Sequence, residues 1–211
     1  MLDEQRRAIV AHLGQLAGLT PGRTGNLSVR QGEHFAVTPT GVPYDDIDPA
    51  DVPVVSLDGD QVAGEFPPSS ETPMHRGIYE RFDAGAVAHV HSPWATTLSV
   101  LGESLPPVHY MIALAGETVP IADYATYGTE QLAANVVAAM EAADSGACLL
   151  ANHGLVATGA DAASAVETAV AVESVARAYC QAQVFGTPER LSSEEIERVA
   201  AKFESYGPDE D

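Results

Sequence analysis

The chain has 211 residues, 45% of them hydrophobic, and sets 30 Asp and Glu against 10 Lys and Arg, a formal charge of −20. That length and apolar content fit a single domain, 1–211, with a real core. The acidic balance excludes nucleic acid and anionic membrane surfaces as partners. No apolar run approaches the roughly 18 residues that cross a bilayer, and the polar start Met1–Arg7 leads into no signal-like segment. A cytoplasmic protein is expected. The acid is dispersed along the chain and Lys202 is the single lysine, a pattern expected of a salt-loving host, where salt screens self-repulsion. Cys148 and Cys180 form no CxxC pair and read as buried thiols.

In chain order, Ile9, Val10, Leu13, Leu16 and Ala17 recur at helical spacing and predict a helix over about residues 3–18. A loop at Gly22–Gly25 precedes a hairpin, Leu27–Arg30 with His34–Thr38, around Gly32. The chain turns at Pro39–Pro43. A second hairpin pairs Val52–Leu57 with Gln61–Ala63 across Asp58-Gly59-Asp60. Pro67-Pro68 leads into a helix over about 70–81, with Glu71 in its first turn. Ala86–His91 reads as a short apolar strand, and Pro93 opens a helix to about Leu101. A strand over Thr118–Ala122 is weaker. Thr129 caps a helix to about Ala142. Strands follow at Ala147–Ala151 and Leu155–Thr158, then a long Ala/Val helix from Asp161 to about Phe185. Ser192 and Glu195 form a capping box for the last helix. Hairpins interleaved with helices predict an α/β chain of α+β type. Its three layers would place a mostly antiparallel central sheet between helices.

Five stretches carry chemistry. In Ala88-His89-Val90-His91 the imidazoles stand at i and i+2, which on a strand share one face and can share a metal. A bare HxH is more often two polar residues on a solvent face, but apolar Ala86, Val87 and Ala88 precede this one. In Ala151-Asn152-His153-Gly154 a histidine ends a buried strand, in a turn that Gly154 permits. Three neutral histidines suit zinc with a position left open for substrate. In Pro68-Ser69-Ser70-Glu71, serines at a helix N-terminus suit either phosphate or plain capping. The turns Thr24-Gly25-Asn26-Leu27-Ser28 and Thr38-Pro39-Thr40-Gly41 bring small donors and glycines that let backbone N–H groups approach an oxyanion. Tyr110 lies in an apolar segment and Tyr206 near the end; neither is more than an ordinary tyrosine on sequence grounds.

The ordered set GNLS, TPTG, PSSE, HVH and NHG resembles the class II aldolase/epimerase family, nearest its L-fuculose-1-phosphate aldolase branch. The likeness extends through HYMIALAG (109–116), YATYGTEQL (124–132) and LSSEEIERVAAKFESYG (191–207), nearly the whole chain. It implies that His89, His91 and His153 hold one Zn2+ per subunit. Glu71 would join them at rest and act as acid/base once substrate displaces it. Asn26, Thr40, Gly41, Ser69 and Ser70 would hold the substrate phosphate, while Tyr110, from an adjacent subunit, and Tyr206 would serve the aldehyde half. A homotetramer with sites between subunits is also implied. The reaction would be reversible cleavage of a ketose 1-phosphate to dihydroxyacetone phosphate and an aldehyde such as lactaldehyde. A lysine Schiff base is the metal-free route to the same chemistry, and Lys202, in a charged terminal segment, reads as solvent-facing. A pentulose-5-phosphate 4-epimerase, a methylthioribulose phosphate dehydratase and a non-catalytic adducin-like scaffold share the fold; the scaffolds lack the metal histidines.

Overall fold

The computed structural model describes residues 1–22 and 24–203. Eight strands form one sheet: β1 (Asn26–Gln31), β2 (His34–Val37), β3 (Val54–Ser56), β4 (Gln61–Ala63), β5 (Ala86–Val90), β6 (Ile121–Ala122), β7 (Ala147–Leu150) and β8 (Gly154–Gly159). Their order is β4-β3-β2-β1-β5-β8-β7-β6. Every neighbouring pair is antiparallel except β6 with β7. Six helices cover it: α1 (Asp3–Leu19), α2 (Thr72–Arg81), α3 (Pro93–Leu101), α4 (Glu130–Ala143), α5 (Ala162–Phe185) and α6 (Ser193–Phe203). None of the helices among the described residues is long and apolar enough to cross a membrane.

The period of two along β5 divides the layers. Ala86, Ala88 and Val90 pack into a core shared with α1, α3 and α5. Val87 faces the other way, into a core closed by Met74, Ile78 and Tyr79 of α2 and Leu132, Val136 and Met140 of α4. His89 lies on the Val87 face, where a fully apolar strand would have continued that second core.

The expected three-layer, mostly antiparallel arrangement is the one observed. The expected strand over Thr118–Ala122 shrinks to Ile121–Ala122, because Val119 pairs instead with Leu105 in a lone bridge. The expected helix over 70–81 starts at Thr72. Glu71 stands at its N-cap position, outside the first turn, and its side chain caps nothing because it turns toward the histidines. Two short 3₁₀ turns, Tyr44–Asp46 and Tyr110–Leu114, carry no hydrophobic period that the sequence would show.

Candidate metal centre and substrate cleft

Three strand ends bring the histidines together. His89 sits in β5 opposite Asn26 of β1 and Val156 of β8. Its Nδ1 lies 2.9 Å from the Leu155 carbonyl oxygen, which can only accept, so Nδ1 carries the proton and donates. A neutral His89 therefore aims a lone pair at Nε2 into the site. This carbonyl–imidazole pairing is how metal-binding histidines are commonly oriented. His91 follows one residue past the end of β5, where its backbone N–H donates to Thr20 Oγ1 at 3.1 Å. His153 lies in the turn from β7 to β8. Ring centroids are 4.9 Å apart for His89 and His91, and 4.8 Å apart for each of these with His153.

That turn differs from its expectation. Asn152, with φ 56°, takes the left-handed conformation, which asparagine tolerates better than most residues. Gly154 is needed for space: a Cβ there would stand 2.6 Å from the Val90 carbonyl oxygen and 3.0 Å from His91 Cδ2. The β8 backbone can then press against the end of β5 that carries His91.

Glu71 completes the group. It is 5% exposed, with Oε2 2.9 Å from His89 Nε2 and Oε1 3.4 Å from His153 Nε2. His89 Nε2 also lies 3.0 Å from His91 Nε2. One ligand atom from each of Glu71, His89, His91 and His153 falls within 4.8 Å of the others. If the imidazoles are neutral, carboxylate oxygen and ring lone pairs converge with no proton between Glu71 and His89, and Glu71 Oε1 accepts no hydrogen bond although buried. With neutral rings such an arrangement is repulsive until either a proton on His89 or a metal cation enters it. Burial raises the Glu71 carboxyl, but His89, His153 and the Asn26 amide together outweigh it and hold the group well below the usual carboxylate range. Burial, and the charge that His89 carries when protonated, push His91 and His153 down to about 4, so both rings are neutral at pH 7, the form a metal ligand needs. Three imidazoles and one carboxylate fit a divalent metal such as zinc.

A cleft of about 370 Å³ opens beside the cluster. Asn26, Thr40, Gly41, Ser69 and Ser70, all expected phosphate contacts, line it together with Glu71, His91 and His153. The two loops that supply them are stitched together. Ser69 N–H donates to the Thr38 carbonyl at 3.1 Å, Thr40 N–H to the Pro67 carbonyl at 3.0 Å, and Pro39 bridges Pro68. Gly41 has φ 72°. Ser69 and Ser70 stand just before the N-terminus of α2, where hydroxyls, backbone N–H groups and the helix dipole favour an anion.

Asn26 does more than its phosphate reading implied. Its Nδ2 donates to Glu71 Oε2 at 3.0 Å, and its Oδ1 lies 2.5 Å from His75 Nε2. His75 was not apparent as a site residue; its only signal was the four-residue spacing from Glu71. Tyr124 and Tyr127 also line the cleft and were missed as individual residues. They ride on a turn where Gly128, at φ 74°, leaves no room for a Cβ, which would lie 2.7 Å from the Ser70 carbonyl oxygen. Tyr110 is 48% exposed, stacks on His109 at 4.7 Å, and is not among the residues lining this chain's own cleft. Tyr206 lies outside the described residues.

The model of the family "Class II Aldolase and Adducin N-terminal domain" matches residues 5–180. A 5-methylthioribulose-1-phosphate/5-deoxyribulose-1-phosphate aldolase of Rhodospirillum rubrum is 43% identical over 192 residues, 90% of this chain and 86% of the relative. A 5-deoxy-D-ribulose 1-phosphate aldolase of Bacillus thuringiensis serovar kurstaki is 42% identical over 212 residues, 98% of this chain and 99% of the relative. A solved L-fuculose 1-phosphate aldolase superposes with a TM-score of 0.91 at 41% identity, covering 95% of this chain and 96% of that one. The chain therefore belongs to the class II aldolase family and is an aldolase of the lyase class.

Proposed function

We propose that the chain, working as one domain over 1–211, is a zinc-dependent aldolase that reversibly splits a ketose 1-phosphate between C3 and C4 into dihydroxyacetone phosphate and an aldehyde. The observation that supports this best is the Glu71–His89–His91–His153 cluster, facing a cleft of neutral phosphate-type donors. When bound, the cation supplies Lewis-acid stabilisation of the negative charge that develops as the C3–C4 bond breaks. Asn26, Thr40, Gly41, Ser69 and Ser70 hold the phosphate and fix the sugar's register. Glu71 delivers a proton to C3 in cleavage and removes it in synthesis. The C4 hydroxyl loses its proton as it becomes the aldehyde. Tyr110 and Tyr206, supplied by an adjacent subunit of a homotetramer, serve that oxygen.

The resemblance of the sequence points to an L-fuculose 1-phosphate-like substrate. The relatives act on L-fuculose 1-phosphate, 5-deoxyribulose 1-phosphate and 5-methylthioribulose 1-phosphate according to their names, so the substrate is assigned by its shared part. That part is a ketose 1-phosphate whose tail ends without a hydroxyl. Tyr124, Ala125 and Tyr127 give the cleft a wall suited to such a tail. The complete metal set leaves the scaffold reading without support, and nothing in the cleft favours the epimerase. The enzyme is assigned to the cytoplasm.

The test is a product assay with L-fuculose 1-phosphate, 5-deoxyribulose 1-phosphate, ribulose 1-phosphate and ribulose 5-phosphate. Release of dihydroxyacetone phosphate from one or more of the 1-phosphates, abolished by a chelator and restored by zinc or cobalt, is the expected result. Full activity in metal-free protein, or epimerisation of ribulose 5-phosphate without cleavage of any 1-phosphate, contradicts the assignment.

A further inference from the structure

Glu71, His75 and Tyr79 recur every four residues at the start and along one face of α2, while Asn26 and Ser28 share one face of β1. The two periods mesh, and a chain of hydrogen bonds runs down the seam. Asn26 Nδ2 meets Glu71 Oε2 at 3.0 Å, His75 Nε2 meets Asn26 Oδ1 at 2.5 Å, Ser28 Oγ meets His75 Nδ1 at 2.6 Å, and Tyr79 Oη meets Ser28 Oγ at 2.7 Å. Asn26 and Glu71 are each 5% exposed, Tyr79 is 2%, and Ser28 and His75 are 0%. Water cannot stand in for a missing partner there.

The chain has one direction. An ionised carboxylate only accepts, so the Asn26 amide must turn its nitrogen to Glu71 and its oxygen to His75. His75 must then carry its proton on Nε2 and offer a lone pair at Nδ1. Ser28 must spend its hydroxyl proton on that lone pair, and Tyr79 must donate to Ser28. Turning over any one member sets two acceptors against each other in a buried seam, so each link holds the next in a single orientation.

We propose that His75 is a positioning residue for catalysis: through Asn26, the Tyr79–Ser28–His75 chain fixes the aim of the Glu71 carboxylate. This rests on Glu71 being the proton carrier. In that role Glu71 must part from the histidines and still meet the substrate carbon in one geometry. Asn26 grips Oε2, the same oxygen that faces His89, and leaves Oε1 unbonded. The carboxylate can thus change its metal-side contact while one oxygen stays held. Asn26 is itself unable to turn because His75 holds its other end. His75 is fully buried and does not line the cleft.

Kinetics of ketose 1-phosphate cleavage, on protein with metal content measured for each variant, separate this from simple packing. His75→Leu fills the space without a donor and should lower kcat roughly 10–100-fold, the scale of a misplaced catalytic group, with KM changed by less than about 3-fold. His75→Gln keeps an amide N–H where Nε2–H stood and should recover most of that loss. Tyr79→Phe keeps the ring in the core and should lower kcat by roughly 2–10-fold, the worth of one hydrogen bond. A readout independent of turnover is the ¹⁵N spectrum of the histidine side chains in the zinc-loaded enzyme, with His75 assigned by its loss in His75→Gln. The Nε2–H tautomer is expected, and an Nδ1–H tautomer overturns the chain even if His75→Leu or Tyr79→Phe fails to fold. Equal kcat in His75→Leu, His75→Gln and wild type, at equal metal content, overturns the positioning role while leaving Glu71 untouched. Wild type that cleaves no ketose 1-phosphate overturns the proposed reaction, and the catalytic role of His75 with it.

Discussion

At the scale of single residues, the site depends on groups whose freedom has been removed. Gly154 shows this through space alone. An alanine there would press its Cβ against backbone of β5 and the ring of His91, neither of which can retreat without moving a ligand. Gly154→Ala is expected to cost about 1–3 kcal/mol and to lower zinc occupancy, measured by thermal unfolding and by metal analysis of the dialysed protein; unchanged zinc content would show that the contact is easily relieved. His75 shows it through charge. Burial and the charge of His89 push its pKa down to about 3, whereas unfolded it titrates near the ordinary value of about 6.5. Between those values the unfolded chain binds a proton that the fold refuses. Stability therefore falls as pH drops from about 6.5 toward 3, and this group has no effect above that range. His91 and His153 act with the same sign in the metal-free protein. The Tm of chelated protein is predicted to fall from pH 7 to pH 5, and less steeply in His75→Gln; parallel profiles for the two proteins would mean that His75 does not carry this proton linkage.

At the scale of elements, the helix beside the metal cluster is capped from a distance. The Glu173 carboxylate of α5 accepts from the backbone N–H groups of Trp94 at 3.0 and 3.1 Å and Ala95 at 2.9 Å, at the first turn of α3. It satisfies donors that the Ser92 side chain leaves open and ties α3, which begins two residues after His91, to the longest helix. Glu173→Ala should destabilise by about 1–3 kcal/mol, the penalty for orphaned donors. Asp161→Ala, which removes an exposed cap from α5, should cost about 1 kcal/mol and leave turnover per folded molecule unchanged. Chemical denaturation of both variants checks the pair, and equal losses would show that the Glu173 bond is no more than a surface cap. These caps also mark what was readable in advance. Thr129, Asp161 and Ser192 announce their helices because capping is local in sequence, and each side chain does accept from the backbone three residues on. The strand carrying His89 and the one that ends just before His153 are legible from apolar runs, and the candidate ligands from HxH spacing and the strand-end histidine. Glu173 and His75 were not, because their partners lie 79 and 49 residues away and only the folded sheet brings them near. The 3₁₀ turn bearing Tyr110 escaped for the opposite reason: three residues per turn over so short a span leave no period to detect.

At the scale of the whole molecule, a charge of −20 surrounds a cleft that is to hold an anion. Salt should matter on both counts, by screening self-repulsion and by lowering the barrier to an approaching phosphate. The proposed tetramer is predicted to hold together at molar salt and to dissociate or loosen in dilute buffer, as followed by sedimentation across a salt series; an assembly indifferent to salt would remove the case for a salt-loving host. Inside that field, the fold brings three candidate metal-binding histidines, the buried Glu71 carboxylate and a cleft lined by small polar side chains together. In the proposed reaction these groups act together to move a proton at carbon. The direct measurement is exchange of solvent deuterium into dihydroxyacetone phosphate, followed by NMR with no aldehyde present, so that the carbon–proton step is isolated from bond cleavage. Zinc-loaded wild type should exchange stereospecifically and chelated protein should not. Glu71→Gln, with its three histidines intact and most of its zinc retained, should exchange roughly 10²–10⁴-fold more slowly. Exchange at the wild-type rate in Glu71→Gln would contradict the claim and pass the proton-carrying role to another group.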